Sequence, residues 1–336
     1  MKHPLRSLFA GLSLGALLLS GCAKDTESDP SIAGIAVSNN DFSVLEEAAI
    51  RGGVVEILSN RNPNDPQGNY TVFAPNNAAF ARLGLRQATD LQALQTSFLT
   101  STLFYHVAGG TLSGNSLVAG TSSGSALGPV RRIVSRNNAR YVNGSRILAT
   151  DVKASNGTVH VVDKVLLATG ADVVNSAIAL STSKVFVKPE LQYLVYAVVY
   201  CGLAGALSEG SPQLTVFAPT DQAFKDLYQQ FGIQLNEPKD LEKLPNAKAT
   251  LTAVLLNHVL LGIQGGKLTQ FTSELPDNAA LPTLGGGSLT FGTFANGLLP
   301  VKGEGNGTNN ANLVIPDIQC TNGVVHVVDR VLLPKL

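Results

Sequence analysis

Two stretches of the chain recur almost residue for residue. Residues 156–166 read NGTVHVVDKVL, and residues 322–332 read NGVVHVVDRVL. Upstream of each, residues 71–80 (TVFAPNNAAF) match residues 215–224 (TVFAPTDQAF). Because the blocks recur in the same order, the sequence predicts two tandem domains rather than a solenoid. The spacing grows from 144 residues (71 to 215) to 166 residues (156 to 322), so the second copy has longer loops.

Each block also predicts local structure. TVFA is a short β-prone run that ends at Pro75 or Pro219, after which Asn76, and Thr220 or Asp221, are suited to cap a helix. The Asn-Gly pairs at 156–157 and 322–323 are tight-turn dipeptides that lead into strands. The sequence therefore predicts an α+β fold in each copy, with helices first and strands after them.

Composition indicates a folded, turn-rich protein with no charge bias. Of the 336 residues 14% are charged, 33 are Gly, and Lys plus Arg balance Asp plus Glu at 24 each. Such a balance argues against a nucleic-acid partner, which requires a basic stripe. One local basic stretch is typical of a solvated strand edge; its members are Arg131, Arg132, Arg136, Arg140 and Arg146.

The N-terminus predicts export. Residues 1–21 carry Lys2 and Arg6, then an apolar run too short to span a bilayer comfortably. The run ends in LSGC at residues 19–22, which resembles the bacterial lipobox and predicts lipidation of Cys22. The alternative is an ordinary cleaved signal with a chance cysteine. Ala23 favours the outer membrane by analogy with enteric bacteria, and we expect residues 22–37 to be a flexible tether. The sequence leaves both a surface-exposed and a periplasmic orientation open.

The ordered motifs TVFAPxxxAF, an apolar segment ending in His, and NGxVHVVDxVL together resemble the fasciclin (FAS1) domain. The resemblance places one domain at residues 38–168 and another at 187–336, with a linker at 169–186. It implies that each copy is a twisted β-sandwich or wedge flanked by helices. It also implies a role in cell adhesion, with cell-surface or matrix proteins or polysaccharides as partners.

The apolar segments LFYHV (103–107) and LLNHV (255–259) carry candidate site residues. Tyr105-His106 resembles an element associated with integrin adhesion in animal fasciclin proteins, whereas the second copy has Asn257-His258. A packing role for the tyrosine is the alternative. His160 and His326 recur in the second motif without a zinc or calcium ligand pattern, so we expect structural imidazoles, no metal and no cofactor.

Catalysis is not expected. GTSSG at residues 120–124 matches the hydrolase GxSxG pattern, but the Gly/Ser-rich sequence after it does not predict the required helix. We likewise expect residues 303–307 (GEGNG) to be a flexible loop, and residues 276–288 and 295–312 to be solvated loops or contact regions. The alternatives to adhesion are an envelope hydrolase or small-ligand receptor with a pocket near His106 or His258, and a passive spacer.

Two cysteines remain after Cys22. Cys201 follows a predicted apolar helix, and Cys320 precedes the last hairpin. In an exported protein they are able to form a disulfide, and the sequence leaves a bridge and two separate thiols both open.

Overall fold

The computed structural model describes residues 29–182, 191–208, 210, 213–261 and 269–335. The predicted signal peptide and Cys22 lie outside the described residues. None of the helices in the described part of the chain is both long and apolar enough to cross a bilayer.

The first domain begins with helices and continues mainly in strands. Its helices are α1 (Ile32–Ser38), α2 (Ser43–Arg51), α3 (Val55–Ser59), α4 (Asn77–Ala81) and α5 (Thr96–His106). Its strands are β1 (Tyr70–Pro75), β2 (Val107–Gly109), β3 (Ser122–Ser123), β4 (Arg131–Arg136), β5 (Ala139–Val142), β6 (Ser145–Ala154), β7 (Gly157–Val162) and β8 (Leu167–Ala168). Strands β1 to β7 form one sheet in the order β2-β1-β7-β6-β5-β4-β3.

The second domain repeats this plan. Its helices are α6 (Val173–Thr182), α7 (Gln192–Tyr200), α8 (Ala204–Leu207), α9 (Asp221–Gln229) and α10 (Ala247–Asn257). Its strands are β9 (Leu214–Pro219), β10 (Val259–Leu261), β11 (Ala280–Pro282), β12 (Ser288–Phe291), β13 (Val301–Gly303), β14 (Leu313–Gln319) and β15 (Gly323–Val328). They form a three-stranded sheet, β11-β12-β13, and the sheet β10-β9-β15-β14-β8, whose last strand comes from the first domain.

The central strands hold the layers together. β1 runs parallel to β7 with Phe73 opposite His160, and β9 runs parallel to β15 with Phe217 opposite His326. Because side chains alternate along a strand, Val72 and Ala74 pack under the helices while Phe73 packs toward the other strands. The second domain has the same two apolar layers. This arrangement confirms the predicted α+β fold, a sheet-rich wedge flanked by helices.

The helix and turn predictions are confirmed. Asn76 Oδ1 accepts a hydrogen bond from the backbone N–H of Ala79 at 2.9 Å, and the Thr220 hydroxyl caps α9 in the same way. The Asn-Gly pairs lie at the turns of the hairpins β6–β7 and β14–β15. Glycine is required at 157, where φ is +154° and a Cβ would lie 2.0 Å from the carbonyl oxygen of Tyr70.

The asparagine of each turn fastens the hairpin to the helices. Asn156 Oδ1 accepts from the N–H of Ile32 at 2.9 Å, and its Nδ2 donates to the carbonyls of Leu58 (2.9 Å) and Asn60 (2.7 Å). Asn322 makes the equivalent three bonds in the second domain. One buried amide thus joins the turn, the first helix and the end of the third helix.

The domain boundaries differ from the sequence interpretation. Helix α1 lies within the segment 22–37 interpreted as a tether, and α6 lies within the segment 169–186 interpreted as a linker. Ile32 and Ile35 of α1 are buried in the core. These helices are anchored by distant bonds to the Asn-Gly turns, which local sequence patterns do not reveal.

The basic stretch is not a solvated edge, and that interpretation was wrong. Arg131 is fully buried: its guanidinium donates to the carbonyl of Tyr105 at 2.7 Å and to the hydroxyl of Ser123 at 2.9 Å. It also lies over the ring of Phe73, 4.8 Å from the centroid. β4 is an inner strand, between β3 and β5, so its arginines face protein.

The long connections of the second domain are also more structured than expected. Residues 280–282, 288–291 and 301–303 pair as a sheet whose Phe291 and Val301 are buried. Within the segment interpreted as a flexible loop, residues 304–306 form a 3-10 turn with a buried asparagine.

We expect Asn156→Ala to lower the free energy of unfolding by about 2–4 kcal/mol. The substitution leaves the amide of Ile32 and two carbonyls without their partner inside the fold. Urea titration followed by circular dichroism measures the change. Asn115→Ala, at an exposed position in the same domain, is the control and should change stability by less than about 0.5 kcal/mol. Equal stability of the two variants would contradict a stabilising role for the Asn156 hydrogen bonds.

Candidate functional site

The four residues predicted as an adhesion element lie in the core. Tyr105 and His106 end α5, Asn257 ends α10, His258 follows it, and all four are buried. The Tyr105 hydroxyl accepts from Asn143 Nδ2 at 2.7 Å. The structure therefore gives these side chains packing partners, not access to an external ligand.

The two helix-end histidines join α5 and α10 to the chain after the last hairpin. His106 Nδ1 lies 2.7 Å from the carbonyl oxygen of Thr102, and its Nε2 accepts from the N–H of Leu166 at 2.9 Å. These partners require the neutral tautomer with the proton on Nδ1. His258 repeats both bonds in the second domain.

The two strand histidines hold the opposite tautomer. His160 Nδ1 accepts from the N–H of Asp151 at 3.2 Å, and its Nε2 lies 2.8 Å from the carbonyl oxygen of Leu112. His326 repeats this pair of bonds. Its ring stacks on that of Phe217 with the centroids 5.3 Å apart.

Electrostatics agrees with these tautomers. Burial lowers the pKa of His106 and of His258 to about 4, and it lowers the pKa of His160 and His326 as well. Protonation would place a second hydrogen where a backbone N–H already points. Each imidazole has both ring nitrogens engaged by backbone, which leaves none for proton transfer to a substrate. The described residues also contain no group of three or more His, Cys, Asp or Glu that could hold a metal ion.

An apolar groove lies on the helical side of each domain. In the first domain it runs between α1 and α2, with His106 in its wall and Val37 and Ile50 on its rim. In the second it runs between α6 and α7, with Ile178 and Val199 on the rim and His258 in the wall. Sequence reasoning placed a pocket near these histidines only as an alternative, because α1 and α6 were not predicted.

The rim residues occupy equivalent positions and are exposed in both copies. The exposed fractions are 64% for Val37, 56% for Ile50, 38% for Ile178 and 62% for Val199. Single exposed apolar residues are common, but the same two positions on the same two helices mark a repeated surface.

The size of the grooves limits what they can hold. The cavities are about 120 Å³ in the first domain and about 50 Å³ in the second. Pockets for drug-sized ligands measure roughly 300–1,000 Å³, and a cavity of about 150 Å³ accepts benzene. Each groove therefore fits one apolar side chain or the end of a chain, not a whole ligand.

The two cysteines are separate free thiols in the structure. The Cys201 thiol, half-buried at the end of α7, donates to the carbonyl of Lys248 at 3.7 Å. Cys320 is buried after β14, where burial raises the pKa of its thiol to about 11. Of the two alternatives that the sequence left open, the structure shows two separate thiols.

A buried ion pair links the domains. Lys164 Nζ lies 2.6 Å from Asp317 Oδ2 and also donates to the hydroxyl of Thr272 and the carbonyl of Gly297, both at 2.9 Å. Burial alone would raise the pKa of Asp317, but Lys164 and the hydrogen bonds outweigh it and hold that pKa below its usual value. Lys164 and Asp317 are 153 positions apart in the chain, so local sequence patterns do not reveal the pair.

Two arginines of the basic stretch extend the junction. Arg132 pairs with Glu274 at 2.6 Å, and Arg136 pairs with Asp277 at 2.8 Å. Arg136 also lies over the ring of Phe294, 3.9 Å from its centroid. These arginines serve contact between the domains, a function with no local sequence signal.

We expect the protein to lose stability as the pH falls from about 6.5 to about 4. Above this window the helix-end histidines are neutral in both states; within it only the unfolded chain takes up their protons, and below it the loss levels off. Each histidine should contribute about 3 kcal/mol, which urea titrations at several pH values measure. His106→Gln should flatten the slope, and an unchanged slope in this variant would contradict the assignment.

Lys164→Met should destabilise the protein by about 3–5 kcal/mol, because it leaves the Asp317 carboxylate buried without its cation. Calorimetry should also show the two domains unfolding further apart in temperature. Lys153→Met, on the exposed face of β6, is the control. Adding Asp317→Asn to Lys164→Met should recover part of the lost stability, because it removes the unpaired carboxylate. No recovery would contradict that carboxylate as the cause of the loss.

Comparison with known proteins identifies the repeated unit. The chain is 27% identical over 271 residues to transforming growth factor-beta-induced protein ig-h3 from Sus scrofa, covering 80% of this chain but only 35% of ig-h3. It is 32% identical over 167 residues to immunogenic protein MPB70 from Mycobacterium bovis, covering 46% of this chain and 83% of MPB70.

Among solved structures, a FAS1 domain pair from the insect cell adhesion molecule Fasciclin I aligns with 90% of this chain and 95% of its own. The sequence identity is 16% and the TM-score is 0.39. The family model for the fasciclin domain matches twice, at residues 40–168 and 189–334, and the chain therefore belongs to the fasciclin-domain family.

Proposed function

We propose that the protein is an exported lipoprotein, anchored through Cys22, that binds cell-surface or matrix partners through its two fasciclin domains. The N-terminal signal and the LSGC sequence support the anchor. The double family match supports an adhesive role.

The observation that carries the binding proposal is the repeated apolar groove. Val37 and Ile50 on the first domain, and Ile178 and Val199 on the second, present equivalent exposed apolar rims beside equivalent cavities. A partner protein could insert one apolar side chain into each groove, as interface anchors do. The grooves, rather than Tyr105 and its neighbours, are the proposed contact sites.

A small-ligand carrier is the second candidate, because the grooves are apolar and lie beside the histidines. Their volumes suit only the end of a ligand such as an acyl chain. An esterase or glycosidase is less well supported, since His106 and His258 have both ring nitrogens bound to backbone.

Substitution of the rims tests the contact sites. We expect Val37→Asp combined with Val199→Asp to reduce attachment of cells to matrix-coated surfaces to the level of a deletion strain. Both positions are exposed, so folding should be preserved, which circular dichroism checks. Val118→Asp, exposed away from the grooves, is the matched control. Attachment that is unchanged in the double variant would refute the groove as the adhesive surface. If the double variant attaches normally but no longer binds an apolar fluorescent probe, the result would favour the small-ligand carrier.

Cys22→Ser tests the anchor separately. The variant should lose incorporation of a labelled fatty acid and move from the membrane fraction to the soluble fraction, because no acyl chain remains to hold it. Protease treatment of intact cells then reports on which side of the membrane the protein lies. Membrane retention without acyl label in the wild type would rule out the lipid anchor.

A further inference from the structure

The first domain contacts the second through its final strand and a nearby turn. Leu167 of β8 pairs with Ile318 of β14 in parallel register. In the turn between β5 and β6, a Cβ on Gly144 would come within 2.0 Å of the Asp317 carboxylate. We call these two elements of the first domain, residues 143–144 and 164–168, the docking face.

The second domain has the corresponding face, but its own chain covers it. In the first domain, residues 143–144 form the turn between β5 and β6. In the second domain, the end of β13 and the loop after it, residues 302–310, connect Val301 to Ala311 at the corresponding place. Gly305 N–H donates to the carbonyl of Leu333 at 2.9 Å, and Leu333 N–H donates to Asn306 Oδ1 at 2.9 Å. Both backbone groups of Leu333 are therefore bonded within the same domain.

The cover fits closely. Leu333 is the counterpart of Leu167, the residue that pairs with the next domain. Asn306 is buried and also donates to the carbonyl of Val331 at 2.9 Å. A Cβ on Gly305 would lie 2.2 Å from the carbonyl oxygen of Pro334, so only glycine lets the loop approach this far. Residues 302–310 thus occupy the place that a following domain takes on the docking face.

The complementary surface is open on the first domain. β6 is the counterpart of β14, and β5 pairs with it only at Ser145 and Arg146. Among the described residues the rest of that edge has no neighbouring strand. Leu148 and Val152 on this edge are exposed. Asp151 holds the position of Asp317, with the same positive φ (61° and 66°) and the same bond to a strand histidine.

We propose that residues 302–310 are a cap that keeps a second copy of this chain from docking head to tail. Without the cap, the segment around Leu333 of one copy pairs with the β6 edge of another, and Arg330 meets Asp151 as Lys164 meets Asp317. Such a contact joins two different surfaces and continues from chain to chain, so uncapped chains form open oligomers. The occupant of the edge is a second copy of this chain.

Replacement of residues 302–310 by Asn-Gly, the turn of the first domain, tests the cap. Analytical ultracentrifugation of the soluble chain from residue 23 should show one species for the wild type and concentration-dependent oligomers for the variant. Thr308→Ala, exposed within the loop, is the control and should behave as the wild type. If the shortened variant does not fold, Asn306→Ala is the alternative, because it loosens the cap and keeps the chain length. This variant should also associate, but more weakly than an uncapped chain.

Two substitutions in the shortened variant test the geometry. Arg330→Glu opposes the Asp151 carboxylate, and Val152→Lys places a charge on the open edge; each should weaken association by about tenfold or more. A folded, shortened variant that remains monomeric overturns the proposal. The proposal is also overturned if the wild type associates as strongly as the shortened variant, or if neither substitution weakens the oligomers.

Discussion

The helical side of each domain depends on one buried amide side chain. Asn156 joins the hairpin turn to the first helix and to the end of the third, and Asn322 does the same in the second domain. The first helix is short, so it gains little stability on its own and needs these bonds and its buried face. The apolar groove exists only because this helix is held beside the next one. An interaction in the turn of each domain's last hairpin therefore shapes the surface proposed for binding.

The two copies share their internal bonds and differ where they meet. All four histidines keep the same backbone partners in both domains. By contrast, Tyr105 contacts Gln319 of the other domain, whereas its counterpart Asn257 bonds within its own. The turn at 143–144, which contacts the second domain, is replaced by residues 302–310. Both of these differences lie at or beside the docking face, which the first domain uses and the second covers.

Local sequence predicted the parts of the structure that local interactions form. The caps at Asn76 and Thr220, the Asn-Gly hairpins and the buried His160 each follow from a few neighbouring residues. Several of the parts that it missed depend on residues more than a hundred positions away. α1 is held by Asn156, and Arg132 is paired with Glu274. A charged residue beside apolar neighbours looks the same in sequence whether solvent or another domain faces it, so the junction had no signal of its own.

The size of the grooves and the link between the domains together constrain how binding could work. Burying one Leu or Phe side chain contributes about 1.5–3 kcal/mol, so a single groove supports only weak contact after the cost of association is subtracted. Two grooves on one chain, joined by the buried Lys164–Asp317 pair, act together because engagement of the first raises the effective concentration of the second. Under the proposed lipid anchor, many copies in one membrane would extend the same effect across a surface. Weak, repeated apolar contacts therefore suit adhesion between surfaces better than capture of a free ligand, which would have to bind tightly to one chain.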